Sequence, residues 1–109
     1  MFTVKQVGHF HVLKLEKDLT VMNATRFVKQ VTEEFLMNGR SKIALDLSEV
    51  NVDTFGLASV LRLHQKAVEC KGGVCILKPS STVQTLIKLT DLHKYVKTYD
   101  QLEEAIRDA

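Results

Sequence analysis

Tryptophan is absent from the 109-residue chain, proline occurs once, cysteine twice and glycine five times. Each shortage removes a class of protein. A lone Pro79 and so few glycines leave no flexible linker, low-complexity tract or repeat. Cys70 and Cys75 flank the turn "KGGV" and lack the second pair that a structural zinc site needs, so both are expected as reduced thiols in or near the core. No stretch approaches the ~18 apolar residues of a membrane span, and "MFTVKQVGHFHVLKLEK" alternates instead of forming the apolar block of a signal peptide. A soluble, cytoplasmic protein is expected. Basic runs are also missing: 15 Lys and Arg are interleaved with 13 Asp and Glu for a formal charge of +2, which argues against nucleic acid binding. No Gly-rich phosphate loop follows a strand pattern, so the chain is not expected to bind nucleotide by such a loop, nor to need a cofactor.

What remains is ordinary globular material, 45% hydrophobic and 26% charged, of a length that fits one domain spanning residues 1–109. Val4 and Val7, then Phe10, Val12, Leu13 and Leu15, read as two strands joined by a tight turn at Gly8. Ala24, Phe27, Val28, Val31 and Phe35 keep helical spacing, with Asn23 as the N-cap and Asn38-Gly39 as the stop. "KIALDL" reads as a central strand covered on both faces, with Ile43, Leu45 and Leu47 on one side and Ala44 and Asp46 on the other. Leu57, Val60, Leu61, His64 and Val68 form the stripe of a second helix, and "VCIL" is the next buried strand. A third helix starts behind Pro79, where "STVQ" (81–84) fits a capping box with Val83, Leu86 and Ile87 facing inward. "YVKTY" gives a brief strand, and Asp100 caps a last helix whose apolar side is Leu102, Ala105 and Ile106. The alternation predicts an α/β fold: a mixed, mostly parallel sheet of 4–5 strands with about four helices, opening with a β-hairpin.

Chemistry concentrates in "LDLSEVNVDTFGLASVL", where a hydroxyl, Thr54, sits between Asp53 and Gly56 at the start of the second helix. Thr54 either caps that helix or is a site of modification. A helix N-terminus exposes unpaired N–H groups and partial positive charge, so a phosphate added there meets donors. Phe55 is either core or an exposed aromatic suited to an interface. His9 and His11 are placed on one strand face and lack a third ligand, so they read as an ordinary pair, and His64 as a satisfied core-edge residue. No nucleophile, base and orienter come together, so no enzyme is expected.

These residues resemble the STAS domains of bacterial anti-sigma factor antagonists. "LDLSEVNVDTFGLASVL" is similar to that family's strand, loop and helix, marked by Asp-Ser-Ser-Gly-Leu or Asp-Ser-Thr-Gly-Leu, and "KGGVCILKPSSTVQTLIKLTDLHKYVKTYDQLEEAI" is similar to the remainder. The resemblance implies a noncatalytic module. Its unmodified form would bind an anti-sigma factor with serine/threonine kinase activity and release a sigma factor, and phosphorylation would switch it off until a phosphatase reset it. The acceptor carries over to Thr54. Asp53, Phe55 and Gly56, with Asp18 and Thr20 of "KDLT", carry over as partner contacts, Phe55 standing where the family has a second hydroxyl and Thr20 where it often has Asp. "DTFGLA" also resembles the Asp-Thr-Gly-Gly-Leu-Ala turn of STAS subunits of lipid-transport ABC ATPases, in which phosphorylation is not assumed. The free protein is expected to be a monomer without metal.

Overall fold

Alternating apolar residues and one left-handed glycine set the first element pair. In the computed structural model, which describes residues 1–108, strands β1 (Phe2–Val7) and β2 (Phe10–Leu15) form an antiparallel hairpin whose turn holds Gly8 at φ 59°. Parallel strands β3 (Lys42–Asp46), β4 (Gly73–Leu77) and the two-residue β5 (Thr98–Tyr99) follow, giving the order β1-β2-β3-β4-β5 with β3 at the centre as its covered faces predict.

Helices α1 (Ala24–Glu34), α2 (Thr54–Glu69), α3 (Ser81–Leu89) and α4 (Leu102–Asp108) complete the fold. The period-2 alternation of β3 divides the core. Ile43, Leu45 and Leu47 join Leu13, Leu15, Phe27, Val31, Leu57, Val60 and Leu63 under the first three helices, while Ala44 joins Val12, Cys75, Leu77 and Ala105 on the α4 side. Asn38 and Gly39 end the α1 segment as expected. A 3-10 turn over Leu36–Asn38 closes on Gly39 at φ 76°, and the Asn38 amide donates to the Glu33 and Glu34 carbonyls.

Several local expectations are corrected, and each has a physical reason. Asn23 sits at the N-cap position of α1, but its Oδ1 accepts from Thr20 N (2.9 Å) and its Nδ2 donates to Asp18 O (2.9 Å), so it ties the preceding loop instead of capping the helix. The α3 cap is Ser80, one residue earlier than the sequence suggested: its Oγ accepts from Val83 N, and Gln84 reaches back to Pro79 O. At α4 the backbone N–H of Gln101 is taken by the Glu104 carboxylate, with no cap bond from Asp100. The buried stripe of α2 runs through Leu57, Val60, Leu63 and Ala67, leaving Val68 exposed, and Ile106 is likewise exposed on α4. His9 lies in the hairpin turn, not on the strand with His11. Cys70 is exposed past the end of α2. Cys75 is buried, and that burial raises its thiol pKa to about 12, which keeps it inert. No helix among the described residues is long and apolar enough to cross a membrane.

Candidate functional site

Parallel β2 and β3 deliver their outgoing loops to the same end of the sheet, and the two loops are stitched together there. Leu19 forms an isolated parallel bridge with Val52, through Leu19 N to Asn51 O (3.0 Å) and Asp53 N to Leu19 O (3.2 Å). Two carboxylates lock it reciprocally. Asp18 Oδ1 accepts from Asn51 N (2.9 Å), 33 residues away, and Asp53 Oδ2 accepts from Val21 N (3.1 Å), 32 residues away. Both acids thus hold the loops in place, a role that local spacing does not reveal.

Asp53, not Thr54, caps α2. Its backbone is extended, and its Oδ1 accepts from Gly56 N at 2.7 Å, short for a charge-assisted bond to the first helical turn. Thr54 is therefore the first helical residue, exposed to solvent, and its hydroxyl makes no hydrogen bond among the described residues. The amides of Thr54 and Phe55 also have no protein acceptor there, since Gly56 N and Leu57 N are taken by Asp53. A free hydroxyl thus stands beside unpaired donors at the positive end of a 16-residue helix.

Gly56 is required for this geometry. A Cβ at that position would run into Leu19 O and come within 2.6 Å of Val52 Cγ1, so only glycine lets the first loop cross the start of α2. Thr20 is half-buried, and its Oγ1 accepts from Met22 N (3.2 Å), so it shapes the loop.

Phe55 is 59% exposed, and the loop tied to Asp53 through Val21 N presents Val21 and Met22, the latter 82% exposed. Sequence reasoning missed Val21 and Met22 because they lie outside any periodic segment. A consecutive apolar pair in a polar loop was the available signal. Thr54 also borders a mostly apolar cleft of about 240 Å³, walled by Leu57, Ala58, Leu61, Thr90, Leu92 and Tyr95. The loops hold Asp18 and Thr20 near the Asp53–Gly56 turn; Asp18, Thr20, Asp53, Thr54 and Phe55 keep accessible surface there, whereas Gly56, expected as a partner contact, is buried under the first loop and serves its close approach instead.

The histidines lie elsewhere. His64 Nδ1 accepts from Val74 N (3.0 Å), as expected of a satisfied core-edge residue, and burial holds its pKa below the usual value. No group of three or more potential metal ligands occurs among the described residues.

A mixed five-stranded sheet opening on a hairpin, with a solvent-facing hydroxyl at the start of its second helix, defines a small α/β module built around a helix-start turn. The chain belongs to the STAS domain family, whose model matches residues 1–105. It is 34% identical over 109 residues to a Thermotoga maritima protein named as a candidate anti-sigma factor antagonist, covering 99% of this chain and 96% of that one. A Thermotoga neapolitana homologue is 33% identical with the same coverage. The T. maritima crystal structure superposes with a TM-score of 0.91 over 98% of this chain and 92% of its own. The anti-sigma factor antagonist SpoIIAA in its unphosphorylated form, at 18% identity, shares the fold with a TM-score of 0.71 over 99% of this chain and 96% of its own.

Proposed function

We propose that this chain, acting as one unit over residues 1–109, is an anti-sigma factor antagonist switched by phosphorylation at Thr54. The unmodified form docks the Asp18–Met22 loop and the Asp53–Gly56 turn on an anti-sigma factor with serine/threonine kinase activity, displacing the sigma factor. Transfer of the ATP γ-phosphate to Thr54 Oγ1 then releases the kinase, and a phosphatase resets the module.

The observation that carries this reading is the division of labour at the helix start: Asp53 caps α2, which leaves the Thr54 hydroxyl exposed and unbonded. Its release from a structural role makes it available as an acceptor, and the likeness to a protein named as an anti-sigma factor antagonist supports an anti-sigma factor as the partner. A phosphate at Thr54 brings about −1.5 to −2 charges to a surface flanked by Val21, Met22 and Phe55, where it would be desolvated in the complex. The free Thr54 and Phe55 amides and the helix dipole can hold the same phosphate in the uncomplexed protein. Modification can therefore block association while the fold persists.

The test is incubation of the purified chain with its anti-sigma factor and Mg-ATP, followed by peptide mapping. One phosphate on Thr54 is expected, lost in Thr54→Ala and retained in Thr85→Ala. Phosphate incorporation by the Thr54→Ala protein would defeat the assignment. Co-purification with a transporter ATPase instead of a kinase would favour the lipid-transport role.

A further inference from the structure

At the end of the sheet opposite Thr54 the chemistry changes. The β1–β2 hairpin turn and the segment entering β3 enclose a cleft of about 470 Å³, within the size range of small-ligand sites. Gln6, His9, His11, Arg40, Ser41 and Lys42 line it, with Gly39 completing the wall. Each of those six side chains can donate a hydrogen bond, and no carboxylate is present to accept one.

Two observations separate this cleft from an ordinary solvated basic surface. First, neither Arg40 nor Lys42 has an ion-pair partner among the described residues, whose salt bridges are Lys14–Glu49 and Lys94–Asp91. Second, His11 lines the cleft with its ring packed edge-on against Phe35, centroids 5.7 Å apart, and its Nδ1 is buried without a partner, which leaves Nε2 as the ring nitrogen able to face a ligand. Burial, and secondarily the Arg40 charge, lower the His11 pKa from its ordinary value. The carbonyl end of α1 and its 3-10 turn, just before Arg40, accounts for one nearby cation, but not for two cations and two histidines around a cleft without a carboxylate.

We propose that this cleft binds a small phosphorylated anion. The Arg40 guanidinium provides a planar fork for two phosphoryl oxygens, Lys42 a point charge, and Ser41 and His9 further donors. The two full cations match a dianion. An arriving dianion favours the protonated His11 ring, which then donates to it. The site lies at the opposite pole from Thr54 and stands independently of the partner-switching function.

The experiment is a titration of the ¹⁵N-labelled chain with inorganic phosphate at pH 7, followed by two-dimensional NMR at constant ionic strength. Saturable shifts confined to residues 6–11 and 39–42, with the Thr54 amide unmoved and the His11 ring pKa raised, are expected. Arg40→Gln, at an exposed position, should weaken binding at least tenfold while keeping a dispersed spectrum, and Lys42→Gln should do the same as a second variant. Succinate, a dianion without a phosphoryl group, should bind at least tenfold more weakly than phosphate. Shifts that never saturate and extend equally to Lys71 and Lys97, equal affinity for succinate, or affinity untouched by both substitutions would each overturn the proposal.

Discussion

Replacing Asp53 by alanine separates the cap from the acceptor. The carboxylate accepts from Gly56 N at 2.7 Å and from Val21 N at 3.1 Å, so the substitution removes both the α2 cap and a tie between the loops. A lost N-cap costs about 1 kcal/mol. A lost hydrogen bond to a charged acceptor costs about 1.5 kcal/mol more, for a total of about 2.5 kcal/mol. In a domain of this size that lowers Tm by about 10 °C or more. Thr54→Ala deletes an exposed, unbonded hydroxyl and should stay within about 0.5 kcal/mol of the parent. Asp53→Asn keeps one acceptor oxygen and should fall between them. Urea unfolding followed by far-UV circular dichroism reads all three from their midpoints at constant slope. A Thr54→Ala cost equal to that of Asp53→Ala would show that the threonine is the cap and would remove the argument for its availability.

Gly56→Ala should destabilise by about 1 to 3 kcal/mol in the same assay, because the new methyl collides with Leu19 O and Val52. Met22→Ala and Phe55→Ala should leave Tm within a few degrees but weaken partner binding at least tenfold, measured by calorimetric titration, as expected of exposed apolar anchors. His64 has a pKa lowered by burial from its ordinary 6.5, so the unfolded chain binds its proton first. The stability it contributes is full above pH 6.5 and is lost as pH falls from there toward the folded-state value, and His64→Gln should flatten that part of the stability curve. Sedimentation should show a monomer at micromolar concentration, and a dominant dimer would contradict that expectation.

Much of the fold was legible because its signals are local. The 3.6-residue spacing from Ala24 to Phe35 and the alternation of "KIALDL" each encode which side faces the core, and the buried residues of α1 and β3 follow them. Local reading failed where neighbouring residues competed for one role. Asp53 and Thr54 are both capable caps, as are Ser80 and Ser81, and backbone geometry decides between them. Val68 and Leu63 similarly compete for the inner face of a helix whose rotation is set by the sheet beneath it. The helix start from Asp53 to Gly56 was legible in the candidate site, but its tie to the first loop was not. The exchange of hydrogen bonds between Asp18, Asn51, Asp53 and Val21 spans more than thirty residues of chain, and no periodicity encodes it. Val21 and Met22 reach the surface through that exchange.

The central claim is that Thr54 switches association without serving the fold. The most direct measurement is a paired one: Tm and the dissociation constant for the anti-sigma factor, for the plain protein and for the protein phosphorylated at Thr54. Nearly equal Tm values are expected, because the helix N-terminus offsets nearby repulsion from Asp53 by about 0.3 to 1 kcal/mol. A fall in affinity of at least tenfold is expected alongside, equivalent to about 1.4 kcal/mol. A large drop in Tm on phosphorylation, or unchanged affinity at unchanged Tm, would contradict the switch.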